Sequence, residues 1–588
     1  MKLSTQQAKA VTHDGNVLLT ACPGSGKTRV IIQKLAYEAD RIEPASKRRI
    51  AALTFTTRAS DEIHRRLHAM GFDNTKVWTG TLHSFCYEWI IKPYSCYLPE
   101  LSNGFVIADE YHCGDILDAL KVKHGIKSYD KVSTRIGRDG LFIEKDKGLV
   151  AVLSEYHSLL KFEKAIDFDQ IVFLSYSLLL NNNKIRTTLN FLFKLICVDE
   201  YQDTQDLFYA IISLIVTANP NNTSLFLVGD ADQAIYTTLG GVVKDLHDIS
   251  AEIGGLHVTP LSLTGNYRSP QRIIDFYSNF QSTDSKITAV GKNANLECAI
   301  SYTDSISKSE IVNEIARLIK RSLDRGIPER EICVLVPQWW LFSSVARKLR
   351  AALSHVNFDA SGMAPMSKNR DNIWYKFSRL FLAEPCPRLF ATRHKWATEV
   401  IEELSRLTHS DFQSTVKSTR VFLRRVNAIS STKEIAAEFL NDCFDQFLDT
   451  MQILIESFPL LKKLRVEFFQ ALNKRLADPD INPPNDTESF KRFYKEINGV
   501  VINTCAGVKG EEYDTVIAYG LLKGYIPHWS DVYSGDGDDA SRRQMYVICS
   551  RAKRNLHLIS ERGRTTKSGT ALITTPVLSE VVFAYDKV

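Results

Sequence analysis

The stretch at residues 17–30, VLLTACPGSGKTRV, constrains the fold of this chain more than any other. A short apolar run leads into a turn with two glycines and then into Lys27 and Thr28, where a helix is expected to begin. Gly24 and Gly26 let the backbone bend so that its N–H groups face a phosphate, and the helix N-terminus adds positive partial charge. Lys27 can reach the β- and γ-phosphates, and the Thr28 hydroxyl can hold Mg²⁺. The pattern predicts a nucleoside triphosphate site; the alternative is a glycine-bearing turn that binds nothing.

Two adjacent carboxylates follow another buried strand. The apolar run at residues 195–198 ends in Asp199 and Glu200. In a nucleotide-hydrolysing motor the first acid anchors Mg²⁺, and the second accepts a proton from the attacking water. Adjacent carboxylates repel each other without a cation, which itself argues for a metal ion nearby. A further buried strand precedes Gln233, whose uncharged amide can contact the γ-phosphate.

Other strand ends offer side chains suited to nucleic acid. The turn after residues 50–53 contains Phe55, Thr56 and Thr57, and a second turn contains His83. Open α/β sheets bind ligands at the C-terminal ends of their strands, and hydroxyls with an aromatic ring suit a phosphate backbone and a stacked base. The alternative is an ordinary strand-to-helix turn, and a single histidine such as His83 is more often structural.

Two further turns carry aromatic side chains. Tyr267 stands beside Arg268, so that a ring can stack on adenine while a guanidinium neutralises charge on the transferred phosphoryl group. Trp339 and Trp340 follow another buried strand. Neighbouring tryptophans are more often core or interface residues than base-stacking platforms, so both interpretations stay open.

Composition restricts the class of protein. The 588 residues include 73 Lys and Arg against 68 Asp and Glu, a formal charge of +5, so any basic path for nucleic acid must be local. The 11 cysteines form no CxxC pair, which argues against structural zinc and against a disulfide framework. The N-terminal segment has no apolar signal core and no long apolar run follows, so we expect a cytoplasmic protein without membrane contact.

Two motif-poor, helix-like blocks interrupt the strand–turn units. The strand–turn units predict an α/β fold with parallel sheets, and the first block is expected to be an insertion between strands of the first sheet. With the resemblance described below, which implies two such domains, the expected boundaries are residues 1–88 and 189–258 for the first domain, 89–188 for its insertion, 259–381 and 496–588 for the second domain, and 382–495 for its insertion.

Taken together and in order, these segments resemble the UvrD/Rep/PcrA family of superfamily 1 DNA helicases. The matching segments are LSTQQAKAV, ACPGSGKTR, TFTTRASDEI, GTLHSF, VDEYQDTQ, GDADQAIY, NYRS, TCAGVKGEEY and YVICSRA. The resemblance implies two RecA-like P-loop motor domains with ATP and Mg²⁺ in the cleft between them.

The resemblance also implies roles for individual residues. Gln7 reads adenine, Arg29 and Tyr267 pack on it, and Glu512 binds the ribose. The catalytic set is Lys27, Glu200 and Gln233 with two arginine fingers, Arg268 and Arg551. Thr28 and Asp199 hold the metal. The full nucleotide-binding set is Gln7, Ala21, Cys22, Pro23, Gly24, Ser25, Gly26, Lys27, Thr28, Arg29, Tyr267 and Glu512. The DNA-binding set is Phe55, Thr56, Thr57, His83, Trp339 and Thr504.

The chain departs from the family pattern at several positions. Thr238 and Leu239 stand where the family has an aromatic residue and an arginine, and Ala506 stands where it has a histidine. Ala540 and Ser541 replace acidic residues before the last motif. These departures concern DNA gripping and coupling, whereas the phosphate chemistry is intact.

The resemblance implies an ATP-dependent DNA translocase and helicase with 3′-to-5′ polarity. The alternative is a DNA-activated ATPase that senses DNA ends or remodels a partner without processive unwinding. Thr238 and the short second insertion favour this alternative somewhat. Compact members of the family also act as partner subunits of OLD-family nucleases in anti-phage defence, such as Gabija, so a partner nuclease is a further expectation beside a role in DNA repair.

Overall fold

In the part of the chain that the structure describes, two parallel β-sheets of six strands each form the frame of the computed structural model. The structure describes residues 3–72, 76–108, 110–127, 130, 132–237, 240–359, 372–477, 484–492, 499–566 and 568–588. The predicted fold class, an α/β protein with two parallel sheets, is confirmed. Thr238 and Leu239, at which the sequence departs from the family, lie outside the described residues.

The first sheet has the strand order β3-β2-β6-β7-β1-β8, and its neighbouring strands run parallel in the described part of the chain. Its strands are β1 (Asn16–Ala21), β2 (Arg49–Thr54), β3 (Val77–Thr81), β6 (Phe193–Asp199), β7 (Ser224–Gly229) and β8 (Val258–Leu263). The flanking helices are α1 (Thr5–Thr12), α2 (Lys27–Asp40), α3 (Thr57–Ala69), α4 (Leu82–Phe85), α10 (Asp206–Val216) and α11 (Leu246–Glu252).

Burial on both faces explains why the central strands are continuous apolar runs rather than alternating ones. In β6, for example, residues 195–198 are all buried. Strand β8 contains Pro260 and lies at the edge of the sheet, where a missing N–H donor is tolerated. The boundary predicted at residue 259 falls within this strand, and the domain boundaries remain predictions.

The first insertion is built from helices around a small apolar core that includes Leu153 and Tyr156. A π-helical turn, Cys86–Ile91, leads into it from the first sheet. Its elements are α5 (Lys92–Tyr94), β4 (Val106–Ile107), α6 (Glu110–Lys123), α7 (Lys147–Phe162), β5 (Ala165–Ile166), α8 (Phe168–Asn181) and α9 (Asn183–Leu192). Helix α10 lies between α8 and the sheet, and nearly all of its side chains are therefore buried.

The second sheet has the order β11-β16-β15-β12-β14-β13 and is also parallel throughout its described strands. Its strands are β11 (Ala299–Thr303), β12 (Ile332–Val336), β13 (Phe358–Asp359), β14 (Val500–Thr504), β15 (Tyr513–Tyr519) and β16 (Ala552–Ile559). A short pair, β9 (Gly265–Asn266) and β10 (Thr288–Ala289), lies beside it. The helices of this half are α12 (Gln271–Ser278), α13 (Ile311–Asp324), α14 (Trp339–Ala352), α21 (Trp529–Ser534), α22 (Gly537–Cys549) and α23 (Pro576–Ser579).

The second insertion is a helical bundle with its own aromatic core, in which Trp374 and Phe444 are fully buried. Its helices are α15 (Ile373–Leu382), α16 (Phe390–Thr408), α17 (Val416–Ala428), α18 (Ala436–Thr450), α19 (Pro459–Leu476) and α20 (Thr487–Arg492). Lys395 on α16 lies 3.2 Å from the Asp61 carboxylate on α3, so the bundle contacts the first half of the molecule. Of the helices described, none is long and apolar enough to cross a membrane.

Candidate functional site

The loop predicted to bind phosphate joins β1 to α2 at the C-terminal edge of the first sheet. Gly24 and Gly26 both have left-handed backbone angles, with φ of +68° and +84°. A Cβ on Gly24 would lie 2.5 Å from the Arg268 Cβ and 2.8 Å from the Asn266 Oδ1. Glycine is therefore required at this position both by conformation and by space.

Lys27 is the first residue of α2, and its ammonium group points into the site. Within the described residues, Lys27 Nζ is buried without a hydrogen-bond acceptor, and it lies 3.5 Å from Glu200 Oε2. A buried ammonium group without a hydrogen bond is costly, and an anionic ligand would remove that cost. Thr28 and Arg29 follow Lys27 in the first turn of the helix. The loop and Lys27 thus fit a triphosphate.

The two predicted acids lie at the end of β6, facing this loop. Burial and the neighbouring charge of Glu200 raise the pKa of Asp199 to about 7. Burial also acts to raise the pKa of Glu200, but the charges of Lys27 and Lys509 outweigh it and hold that pKa at about 2. Burial and the other carboxylate thus raise the pKa of Asp199, and a bound cation would offset that repulsion. Oxygen ligands of this kind fit Mg²⁺.

Gln233 connects the two halves of the molecule. It lies in the turn after β7, where its Nε2 donates to Asp230 Oδ2 at 2.7 Å. Its Oε1 accepts a hydrogen bond of 2.9 Å from Arg551 Nη2, a guanidinium supplied by the second half. Arg551 is only 1% exposed. Burial, together with the charge of Arg268, lowers its pKa to about 10.

Arg268 follows β9 and lies against the phosphate loop, where a Cβ on Gly24 would meet its Cβ. Its Nε donates to Glu512 Oε2 at 2.7 Å, and its Nη1 donates to the Ser550 carbonyl at 2.8 Å. Burial opposes the ionised form of Glu512, but the charge of Arg268 outweighs it and lowers the pKa of that carboxyl. Glu512, predicted to bind a ribose, is therefore engaged with one of the predicted arginine fingers.

A cleft of about 290 Å³ adjoins the phosphate loop at the position predicted for adenine. Gln7 Nε2 donates to the Ser25 carbonyl at 2.9 Å, and the Tyr267 N–H donates to the Gly24 carbonyl at 2.8 Å. Tyr267 is 41% exposed, which leaves a face of its ring accessible. The structure thus brings two of the three predicted adenine contacts, Gln7 and Tyr267, together at one side of the loop.

Gln6, which no motif distinguishes from an ordinary surface residue, also lines this cleft. Its Nε2 donates to Thr264 Oγ1 at 3.1 Å, and its Oε1 accepts from the Thr264 N–H at 3.2 Å. These two bonds join α1 to the end of β8. No sequence signal identified this pair, because its members are far apart in the chain.

The predicted DNA contacts in the turn after β2 divide into two kinds. The Phe55 ring stacks on Tyr236, with 4.5 Å between the ring centroids and 27° between the planes. The Tyr236 hydroxyl donates to the Ala506 carbonyl at 3.0 Å, which ties this stack to the second half. Thr56, by contrast, caps α3 through its hydroxyl and the Ala59 N–H, and Thr57 begins that helix.

Tyr236 was missed in the sequence, where an aromatic residue three positions after Gln233 could equally belong to the core. Lys509 was missed as well. It pairs with Asp203 and donates to the Gln233 carbonyl at 2.6 Å. Its position in a short turn between two apolar strands was visible in the sequence, but its partners were not.

The remaining predicted DNA contacts have other partners. His83 packs edge-on against Phe168 and Phe208, with centroid distances of 5.9 and 5.1 Å, and burial lowers its pKa. The Thr504 hydroxyl accepts from the Gly507 N–H at 3.2 Å and so supports a turn. Trp339 stacks on Phe342, one turn further along α14, with 5.1 Å between the ring centroids.

A phosphate loop at the edge of one parallel sheet, close to two arginines from the second half of the chain, defines a P-loop protein of the two-domain RecA-like class. The family model of the UvrD/REP helicase N-terminal domain matches residues 3–253. The chain is 24% identical to the ATP-dependent DNA helicase UvrD1 of Mycobacterium leprae, in an alignment that covers 95% of this chain and 82% of that protein. It is 23% identical to the ATP-dependent DNA helicase PcrA of Staphylococcus aureus, over 95% of this chain and 83% of that protein. Residues 3–253 thus match the N-terminal domain of the UvrD/REP helicases, and the chain is similar over most of its length to proteins named ATP-dependent DNA helicases.

Proposed function

We propose that this protein is an ATP-dependent DNA translocase and helicase that moves with 3′-to-5′ polarity. The observation that carries the proposal is the hydrogen bond between Arg551 and Gln233. It joins the two halves of the molecule beside Lys27 and Glu200. A site assembled from both halves can change their separation when its occupant changes, which is what a motor requires. The named activity of the curated relatives supports the same proposal.

The chain offers ligands for both expected groups. Lys27 and the N–H groups of the loop would hold the phosphates, and Thr28 and Asp199 would hold Mg²⁺. Bound Mg-ATP would supply a phosphoanhydride bond whose cleavage releases free energy. Glu200 carries its charge at neutral pH and can accept a proton from the attacking water.

The arginines would couple the site to movement. Arg268 and Arg551 are both buried beside the cleft, and their charges disfavour each other. An anionic ligand between them would relieve that repulsion and draw the halves together. The Tyr236 hydroxyl bond to Ala506 spans the same gap. Closure would therefore alter the Phe55–Tyr236 stack, where we expect the single strand to bind.

Strand separation tests this proposal. Duplexes with a 3′ tail, a 5′ tail or blunt ends are mixed with the protein, ATP and Mg²⁺, and released strands are counted. We expect release from the 3′-tailed duplex, and its loss in Lys27→Ala and Glu200→Gln. Lys161→Ala, which removes an exposed lysine of the first insertion, serves as the charge-matched control. ATP hydrolysis without strand release on any of the duplexes would refute the helicase proposal.

A second candidate is a DNA-activated ATPase that senses ends or acts on a partner such as a nuclease. The contact between Tyr236 and Ala506 favours this second candidate. Ala506 has only a methyl side chain where the family has a histidine, and it meets the Tyr236 hydroxyl through its backbone carbonyl. ATPase rates with single-stranded DNA, blunt duplex, tailed duplex and RNA, measured side by side, separate the two candidates. Stimulation by blunt ends that exceeds stimulation by tailed DNA would support the second.

A further inference from the structure

We propose that Gln202 is a positioning residue, which holds the general base Glu200 in place when Arg551 of the second half is docked on Gln233. This inference rests on the proposed function and adds a route by which the second half controls hydrolysis. Gln202 lies in the short 3₁₀ turn, Tyr201–Asp203, that follows β6 and Glu200, and it is fully buried. A buried amide needs partners for both its donor and its acceptor, so those partners define what it can do.

The amide of Gln202 joins the turn after β6 to the turn after β7. Its Nε2 donates to Glu200 Oε2 at 2.7 Å, and its Oε1 accepts from the Asp230 N–H at 3.1 Å. Chemistry fixes this orientation of the amide, because a backbone N–H can only donate and an ionised carboxylate can only accept. A Cβ on Gly229 would collide with Gln202 Oε1, so glycine at that position lets the amide reach across. Gln202 therefore ties the position of the base to the turn that carries Gln233.

The contacts of Glu200 show what Gln202 holds in place. Gln202 Nε2 and Lys27 Nζ lie 2.7 Å and 3.5 Å from the same carboxylate oxygen, Oε2. Because both of these groups contact Oε2, the other oxygen, Oε1, is the one that can accept a proton from the attacking water. The backbone of Glu200 has φ of +55°, an uncommon conformation for a residue with a side chain. Such a conformation persists where surrounding contacts hold it, and Gln202 supplies one of those contacts.

Four hydrogen bonds run in series from Arg551 to Glu200. Arg551 Nη2 donates to Gln233 Oε1 at 2.9 Å, and Gln233 Nε2 donates to Asp230 Oδ2 at 2.7 Å. The Asp230 N–H then donates to Gln202, and Gln202 donates to Glu200. Every bond of the series donates in the direction of Glu200, and hydrogen bonds aligned in this way strengthen one another. Gln202 is thus the last link between the arginine and the base.

Separation of the two halves would break the series at its first bond. Without Arg551, the Gln233 amide loses a partner, and the Asp230 backbone is held less firmly against Gln202. A displacement of about 1 Å in a reacting group can cost about a hundredfold in rate, so hydrolysis would be suppressed while the halves are apart. A contiguous network of this kind carries coupling only where substitutions along it prove non-additive.

Two variants of Gln202 in the full chain test the proposal. Gln202→Met keeps the length of the side chain and removes both hydrogen bonds, whereas Gln202→Glu keeps the acceptor for the Asp230 N–H and loses the donor to Glu200. We expect each to lower the single-turnover rate of ATP hydrolysis, measured with Mg²⁺ and oligothymidine, by about tenfold or more. The affinity for a fluorescent ATP analogue should stay within about threefold, because the change falls on the chemical step and not on binding.

Gln446→Met is the matched control. Gln446 Nε2 donates to the Ser430 carbonyl at 3.0 Å in the second insertion, so this change also removes a glutamine hydrogen bond. Its hydrolysis rate should stay within about twofold of the wild type, as for a substitution outside the site.

A double-mutant cycle with Gln233→Met tests the series itself. In Gln233→Met the series is already broken, so adding Gln202→Met should lower the rate by less than about threefold. A residue with only a structural role would lower the rate by the same factor in both backgrounds. Equal factors would therefore overturn the proposal.

The outcomes separate the positioning role from the proposed function. Rates for both Gln202 variants that match Gln446→Met, in a protein whose wild type hydrolyses ATP, overturn the positioning role and leave the proposed function standing. A loss of nucleotide affinity as large as the loss of rate also overturns it, because Gln202 would then shape the nucleotide site and not the base. A wild-type protein that hydrolyses no ATP with any DNA overturns both.

Discussion

The ion pair between Lys509 and Asp203 offers the sharpest test of how the two halves are held together. Lys509 lies between β14 and β15 of the second sheet, and Asp203 lies after β6 of the first. Their side chains are only 7% and 1% exposed. Lys509 also donates to the Gln233 carbonyl at 2.6 Å, so one ammonium group ties two turns of the first half to the second.

Replacing Lys509 by methionine keeps the length of the side chain and removes its charge. Asp203 would then be a buried carboxylate without its counter-ion, and its Oδ1 already lacks a hydrogen-bond partner among the described residues. Breaking a buried pair from one side costs about 3–5 kcal/mol, most of it the penalty of the charge left behind. The Gln233 carbonyl also loses its donor, so the turn that holds Gln233 against Arg551 should loosen, and ATP hydrolysis should fall at least tenfold.

A double-mutant cycle measures the effect. Urea unfolding is followed by tryptophan fluorescence for Lys509→Met, Asp203→Asn and the double variant, which leaves no buried charge. We expect the double variant to recover most of the loss. The matched control is Lys395→Met, because Lys395 and Asp61 form the same type of pair between distant segments but are 19% and 23% exposed. That change should cost less than about 1 kcal/mol. Equal losses from Lys509→Met and Lys395→Met, or no recovery in the double variant, would refute the reasoning.

Three further predictions concern single positions. Gly26→Ala places a Cβ 2.9 Å from Gln7 Nε2 at a residue with left-handed backbone angles. We expect this variant to bind a fluorescent ATP analogue at least tenfold more weakly than the wild type. An unchanged melting temperature would show that the variant is folded. Tyr236→Phe keeps the stacking ring but removes the donor to the Ala506 carbonyl; DNA stimulation of the ATPase should fall while basal ATPase stays, and an unaffected stimulation would contradict the coupling. Burial lowers the pKa of His557 to about 4, so the unfolded state takes up a proton at a higher pH than the folded state does. The stability contributed by the neutral ring is therefore lost as the pH falls from about 6.5, and the loss levels off below about pH 4. Between pH 7 and 5 the wild type should therefore lose about 2 kcal/mol more than His557→Gln, as measured by denaturation at each pH.

The sequence predicted the local units of the fold well because each unit is specified by neighbouring residues. The strand, glycine turn and helix around Lys27 can be recognised from 14 consecutive letters, and the structure has the same order of elements. The parallel sheets were predictable for a similar reason, since strands buried on both faces must be continuous apolar runs. The acids after β6 follow the same rule, because they stand at the end of such a run.

Other features could not be predicted because they depend on residues that the chain brings together from afar. Phe55 was expected to meet a base, yet the partner of its ring in the protein, Tyr236, could not be foreseen. Thr56 and Thr504 offered hydroxyls that the structure uses in a helix cap and a turn. Local hydrogen bonds of this kind compete with ligand contacts, and the sequence alone does not tell which will be made.

The sequence by itself determined the class of protein, through the glycines and Lys27 of one loop and the acids and amide that follow other strands. Those elements are short-range, and their chemistry is set by residue type and spacing. Tertiary structure alone decided that Arg551 meets Gln233 and that Lys509 meets Asp203. Each of these contacts joins two segments that are far apart in the chain. Only the packing of both sheets and their insertions sets such distances, because no local propensity encodes which distant residues will meet.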